Sequence, residues 1–404
     1  MSYLLPFVPR LTLALLDEGA PSDIGRARPV QVAAMLADLA GFTALVDRMT
    51  ARLGGRASER LQEVLNRCFA PITEIVDKAG GQVLAFPGDA ALGIWLSDAA
   101  DPTALTEWVL RAVDCGLELR DRLDGLATED DAVVRLRVAI SAGPARAALV
   151  GGVDGRWTAV VHGRAIEHLG DTLALATPGE VILSPVAREL CDSGVIVSLR
   201  GSHGVVTSAA PVPARRPDRP EHAVVPPDLL PSLVPASVRT RFEAGQHAWL
   251  SEFRSVTAVF IQLEGATRDD RALHRTVRTI QTVLARFDGE LNQVVADEKG
   301  LTAVAVFGLL QQTHEDDPIR ALAASRELQT LLQSDGVNAR IGVTSGRVFA
   351  GARGGRSRLE FAILGQTVVF AARLAAAAED ILCDGATRTA SLPCSSSSRG
   401  RPWS

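Results

Sequence analysis

Asp38 stands at the end of an apolar run, Ala33-Ala34-Met35-Leu36-Ala37, and Gly41-Phe42-Thr43 follows shortly after it. This order fits a buried strand whose last residue projects a carboxylate into a cleft, with Gly41-Phe42-Thr43 opening the next helix. Backbone N–H groups at a helix start attract phosphate, and a carboxylate beside them can hold a divalent cation. Strands ending in Asp before a helix are common, so the chemistry has to be judged on what the surrounding elements bring to it.

Those elements read in a clear order. Ala44–Leu53 has the apolar spacing of a helix, and Leu61, Val64, Leu65, Cys68, Phe69, Ile72, Ile75 and Val76 repeat at helical intervals up to a stop at Gly80-Gly81. Val83–Phe86 and Ala90–Trp95 read as strands joined by a tight turn, Pro87-Gly88-Asp89. An amphipathic helix over Asp101–Leu123 follows, then strands at Val134–Ser141, Thr158–Val161 and Val181–Ser184. Eight prolines between Ala209 and Pro235 suit an extended linker. Beyond it Ala236–Glu252 reads as a helix leading into a buried strand, Val256–Leu263.

From that strand onward the first half repeats. Phe260-Ile261-Gln262-Leu263-Glu264-Gly265 matches Leu36–Gly41, Arg340–Gly346 matches Arg137–Gly143, and Leu364-Gly365-Gln366 matches His162-Gly163-Arg164. The order strand, helix, hairpin, helix, strand in each copy predicts an α+β fold of two ferredoxin-like (βαββαβ) domains in tandem. A duplicated domain forms a pseudo-twofold intramolecular pair, whose natural place for a ligand is the interface. The expected boundaries are a lead-in over 1–27, a first domain over 28–208, a linker and helix over 209–252, a second domain over 253–390 and a tail over 391–404.

Leu36–Thr43, the Gly80-Gly81 stop, Leu84-Ala85-Phe86-Pro87-Gly88-Asp89-Ala90, Trp95 and the Arg137–Gly143 strand together resemble class III nucleotide cyclases. The tandem arrangement is most similar to the soluble, bicarbonate-responsive adenylyl cyclases, in which the first half is catalytic and the second diverged. The resemblance implies a phosphorus–oxygen lyase that converts ATP, or GTP as the other purine nucleotide, to a 3′,5′-cyclic nucleotide and pyrophosphate. Two Mg²⁺ or Mn²⁺ ions would stabilise the attacking and leaving oxygens. It places Asp38, the Leu39 carbonyl and Asp89 as metal ligands, and Gly41, Phe42, Thr43 and Arg137 around the β- and γ-phosphates. Arg373 falls on the position of a catalytic arginine that meets charge developing on the α-phosphate. Gln293 and Ala362 fall on positions that read the base, and Val369 on one that orients the ribose.

Several of these positions depart from the family pattern. Gln293 can still donate and accept, but Ala362 can do neither, and Val369 removes an amide expected at the ribose. Loss of one positioned hydrogen bond of this sort typically costs about 10²–10³ in rate. A catalytically weak or dead pseudo-cyclase acting as a nucleotide-binding or regulatory module is therefore the alternative. The family's bicarbonate-binding lysine and arginine positions hold Ala85 and Gly170, so no bicarbonate response is expected. Gln262 replaces the first metal carboxylate in the second copy, with Asp297 near the other position. The Ser-rich end after Asp384 reads as a disordered or truncated tail.

Composition bounds the rest. At 47% apolar residues the chain is that of a globular protein, and a net charge of -5 with interspersed signs does not suggest nucleic acid as a partner. Cys68, Cys115, Cys191, Cys383 and Cys394 show no metal-ligand spacing and read as reduced thiols of a cytoplasmic protein. The apolar N-terminus is broken by Pro6, Pro9, Arg10, Asp17 and Glu18, and no run reaches the roughly 18 uncharged residues needed to span a bilayer. No membrane association is expected.

Overall fold

The computed structural model describes residues 3–391 apart from 19–24, 43–44, 47, 50–56, 99–101, 128–132, 192–193, 211, 213–228, 244–250 and 310–311. Thr43, most of the helix expected over Ala44–Leu53, most of the proline-rich stretch and nearly all of the tail lie outside those residues.

Strand β1 (Arg26–Ala40) organises the first half. It pairs antiparallel with β3 (Ala90–Asp98) on one side and β4 (Arg135–Gly151) on the other, and β2 (Gln82–Ala85) adds beyond β3. The order β2-β3-β1-β4 is that of the ferredoxin-like sandwich expected from the sequence. Side chains alternate across the sheet. Ala33, Met35, Ala37 and Leu39 pack on one face against helices α2 (Ala57–Lys78) and α3 (Pro102–Leu123). Val32, Ala34, Leu36 and Asp38 therefore face the opposite way, toward the second half. This parity is why Asp38 opens into a cleft while its neighbour Leu39 is fully buried.

Past the sandwich, β4 also pairs with β5 (Trp157–His162) and β6 (Val181–Leu183). Helix α4 (Arg164–Ala174) follows β5, and a hairpin of β7 (Val195–Arg200) and β8 (His203–Ala209) closes the sheet beyond β6. The sequence reading did not assign this hairpin: no side chain of β7 is fully buried, and its Val195 and Val197 are only half-buried against the core of the first half. β4 is also longer than expected. Gly143-Pro144 has the look of a breaker, yet the strand runs through it with Pro144 opposite Gln31.

The second half repeats the plan with β9 (Glu252–Glu264), β10 (Glu290–Asp297), β11 (Gly300–Phe307) and β12 (Asn338–Gly355), ordered β10-β11-β9-β12. The helix expected over Ala236–Glu252 is shorter, α5 (Ala236–Glu243), and β9 already begins at Glu252. Helices α6 (Asp270–Arg286) and α7 (Asp317–Ser334) cover one face. Strands β13 (Arg358–Leu364) and β14 (Ile381–Cys383) flank β12, with helix α8 (Gln366–Ala377) between them.

The long strands β4 and β12 reach beyond their own halves. β4 lies against α6, where Arg146 Nε donates to Asp270 Oδ1 at 2.7 Å. β12 lies against α2, and its Phe349 is buried in the apolar cluster of the first half. The N-terminal helix α1 (Arg10–Asp17) also seats on the first half, where the Leu11 amide donates to Gln82 Oε1 at 2.8 Å.

Candidate active site

The register of β1 sets the first carboxylate. Asp38 lies opposite Ala90 on β3 and opposite Arg137 on β4. Asp89 precedes Ala90, so the turn Pro87-Gly88-Asp89 carries it to the same end of the sheet. The Ala90 amide donates to the Pro87 carbonyl at 3.0 Å, Gly88 has φ +60°, and the Leu39 amide donates to the Asp89 carbonyl at 3.2 Å. The two metal positions expected from the sequence are thus tied together by backbone.

Two carboxylates, Asp38 and Asp89, share this corner with two guanidinium groups, Arg137 and Arg353. Arg137 Nε donates to Asp38 Oδ2 at 3.0 Å, so one guanidinium serves the first carboxylate. For Asp89, burial and then the charge of Asp38 push the carboxyl above its ordinary range, against weaker opposing effects from a backbone hydrogen bond, Arg353 and Arg137. The folded protein therefore holds the Asp89 proton more tightly than the unfolded chain. Stability from this group is gained as pH falls through the carboxylate range and is lost above it. Asp89→Asn, neutral at every pH, should raise the denaturation midpoint of the metal-free protein near neutral pH, and the difference should shrink in mild acid. A variant no more stable than the parent at neutral pH would contradict this.

Next to the carboxylates, Gly41 has φ +83°, and a Cβ built on it would meet nothing within 4 Å. The backbone here is open to a ligand. Phe42 is buried edge-on against Phe69, with ring centroids 5.6 Å apart, and anchors the start of the following segment.

Asp38 and Arg137 sit on the wall of a cleft between the two halves, with a volume of about 630 Å³. Of the positions expected from the second half, Gln293 and Val369 line it. Ala362 is buried and does not. Arg373 is an exposed residue of α8; its neighbour Ala372 lines the cleft, but Arg373 itself does not. Gln293 is already occupied: its Nε2 donates to the Phe86 carbonyl at 2.9 Å and to Glu360 Oε1 at 3.1 Å. With both amide hydrogens committed, it can only accept from a base.

The residue that sequence reasoning missed is Arg353. It is 3% exposed, lies on β12, lines the cleft, and reaches the backbone next to Asp89. No motif or period marks it.

In the second copy the register equates Gln262 with Asp38, since Gln262 lies opposite Thr302 and Arg340. Asp297, the other candidate there, closes its own turn by accepting from the Lys299 amide at 2.9 Å and from Thr302 Oγ1 at 2.6 Å. At Gly170, a Cβ would collide with the Glu298 carboxylate.

Among the described residues no three His, Cys, Asp or Glu side chains converge on one metal-sized point. Asp38 and Asp89 with a neighbouring carbonyl are nevertheless the hard oxygen donors that Mg²⁺ takes, because it is usually held by one or two carboxylates and completes its shell with water and substrate phosphates. The donor set fits.

No family model matches the sequence. Among curated proteins, the chain is similar to adenylate cyclase type 10 of Oryctolagus cuniculus, 29% identical over 383 residues, covering 84% of this chain and 23% of that protein. It is likewise similar to adenylate cyclase type 10 of Homo sapiens, at 28% over 378 residues. The chain spans about a quarter of the length of these relatives. A solved structure, a class III adenylyl cyclase-like ATP-binding protein from Pseudomonas aeruginosa, superposes with a TM-score of 0.63 over 90% of this chain and 85% of that one, at 15% identity. The fold is that of a tandem class III cyclase, and the sequence similarity points to the same group. No helix among the described residues is long and apolar enough to cross a membrane.

Proposed function

We propose that this chain is a nucleotide cyclase that forms 3′,5′-cyclic AMP and pyrophosphate from ATP in the cleft between its two halves, in intracellular signalling. The observation that carries this reading is the strand pairing that brings Asp38 and the Asp89 turn to one end of the sheet, with Asp38 and Arg137 on the cleft wall and Asp89 just behind the lining residues Gly88 and Ala90. The adenine preference rests on the names of the relatives, and GTP is the competing substrate. In the reaction the ribose 3′-oxygen bonds to the α-phosphorus, the bond to the pyrophosphate oxygen breaks, and the 3′-hydroxyl proton is released.

Asp38, Asp89 and the Leu39 carbonyl would hold two Mg²⁺ or Mn²⁺ ions, which when bound supply positive charge at the attacking and leaving oxygens. The open backbone at Gly41 and Phe42 would receive phosphate through its N–H groups, and Thr43 belongs to the same stretch. Arg137 would exchange Asp38 for the triphosphate. Val369 offers the ribose only an apolar contact. Ala362 offers the base nothing, and Gln293 offers it one acceptor. Arg373 would have to enter the cleft to meet the α-phosphate.

Purified protein supplied with Mg²⁺ or Mn²⁺ and either ATP or GTP tests the reading. Cyclic product that disappears in an Asp38 variant supports it. No product from any combination, with nucleotide still bound, supports the second reading, a nucleotide-binding module without turnover. The exposed position of Arg373 outside the cleft favours that second reading. Neither Ala85 nor Gly170 can supply a cation, and the Glu298 carboxylate crowds Gly170. A bicarbonate series should therefore leave the rate flat, and a severalfold rise would contradict this.

A further inference from the structure

Arg353 crosses from the second half to the carbonyls that precede Asp89. Its Nη1 donates to the Gly88 carbonyl, and its Nη2 donates to the Phe86 carbonyl and to Glu360 Oε1, the last at 2.9 Å. The guanidinium lies 5.0 Å from the ring of Phe86 and 5.4 Å from that of Phe69. Gln293, also from the second half, gives the Phe86 carbonyl a further donor. The backbone from Phe86 to Gly88 is thus gripped from across the interface, one residue before Asp89.

Burial of a guanidinium costs several kcal/mol unless its donors are met. Here the match is incomplete, because the Arg353 Nε is buried without a partner among the described residues. A side chain placed only for stability would be better served by an apolar residue of similar size. The planar fork is what allows one side chain to hold the Phe86 and Gly88 carbonyls on either side of Pro87 and still lie against aromatic rings, which an ammonium cannot do.

The geometry points to Arg353 as a positioning residue for Asp89: from the second half it fixes the Phe86–Gly88 backbone, so that cation binding by the first half depends on it. The inference rests on the reading of Asp38 and Asp89 as the metal carboxylates. With Gln293 sharing the hold on the Phe86 carbonyl, it gives the second half a part in the metal site.

Full-length protein, R353K, R353M and Asp38→Asn would be titrated with Mn²⁺ in the presence of a non-cyclisable ATP analogue, and the Mn²⁺ bound by the analogue alone, measured in a matched protein-free titration, would be subtracted. Free Mn²⁺ would be followed by electron paramagnetic resonance at a temperature where each protein is folded. Loss of an outer residue that orients a metal ligand typically weakens binding about 10–100-fold, and R353M should fall in that range with R353K between it and the parent. A residue that only stabilises the fold would lower the melting temperature and leave the affinity of the folded protein unchanged. Should R353M not fold, R353K alone decides. Variants that bind Mn²⁺ within about twofold of a binding parent overturn the positioning role alone, since that lies well below the effect expected of such a residue. No binding by the parent, with Asp38→Asn equally silent, rejects the metal reading of the carboxylates and this inference with it.

Discussion

Asp38→Asn should give a folded protein whose production of cyclic nucleotide falls by about 10²–10³ or more, the scale on which a single group facing developing charge acts. The substitution keeps size and hydrogen-bonding reach and removes only the charge. The fold should tolerate it. Arg137, the partner left behind, has a side chain 30% exposed and can turn to water. Nucleotide binding should persist, because the freed guanidinium remains available to a triphosphate. The expected signature is thus a fall in kcat with a much smaller change in KM. Product measured by chromatography at saturating nucleotide and Mn²⁺ checks it, and a variant with parental turnover would remove Asp38 from the metal site.

Glu360→Ala should be among the most destabilising single changes in the chain. The Glu360 side chain, 13% exposed, accepts from Arg353 at 2.9 Å and Gln293 at 3.1 Å and lies 3.6 Å from Arg358. Arg358 is itself buried. Desolvation lowers its pKa to about 10, with Glu360 opposing that shift. It donates to the Phe7 and Leu84 carbonyls, each at 3.2 Å. One carboxylate therefore serves two buried cations that join the N-terminal segment, the first hairpin and the second half. Removing one partner of a buried ion pair typically costs about 3–5 kcal/mol, because the remaining charge stays desolvated. Urea denaturation should show a loss of that size, and Glu360→Gln, which still accepts hydrogen bonds, a smaller one. A loss under about 1 kcal/mol would place the cluster among solvated surface pairs.

The strand–helix–hairpin order was readable because each element of the sandwich buries a face of its own. The period of 3.6 in α2 and the Pro87-Gly88-Asp89 turn are local signals, and the repeat beginning at Phe260 doubled them. Asp38 and Asp89 were legible for the same reason, since a strand end and a hairpin turn place them without help from distant parts of the chain. The contributions of the second half were less so. Gln293 occupies the expected position, but its amide is spent on the Phe86 carbonyl and Glu360, which depends on a hairpin some 200 residues away. Arg373 lies one turn after Val369 on the same side of α8, yet its side chain is exposed and does not line the cleft. Arg353 had no local signature at all. In sequence it is one basic residue in Gly351–Gly355, and only the overreach of β12 onto the first half gives it partners.

If the cleft takes Mg²⁺ and nucleotide as proposed, the ion pair between Arg137 and Asp38 couples the arrival of the two ligands. A cation that comes alone must take Asp38 from Arg137 and leaves a guanidinium without a counterion. A cation that comes on a triphosphate brings the anion that receives Arg137. Each ligand then lowers the free-energy cost of the other's entry, and the coupling is reciprocal, typically about 1–3 kcal/mol between linked sites. On that reading Arg137 serves as an internal counterion that gives Asp38 a partner and would pass to the triphosphate as the metal takes the carboxylate.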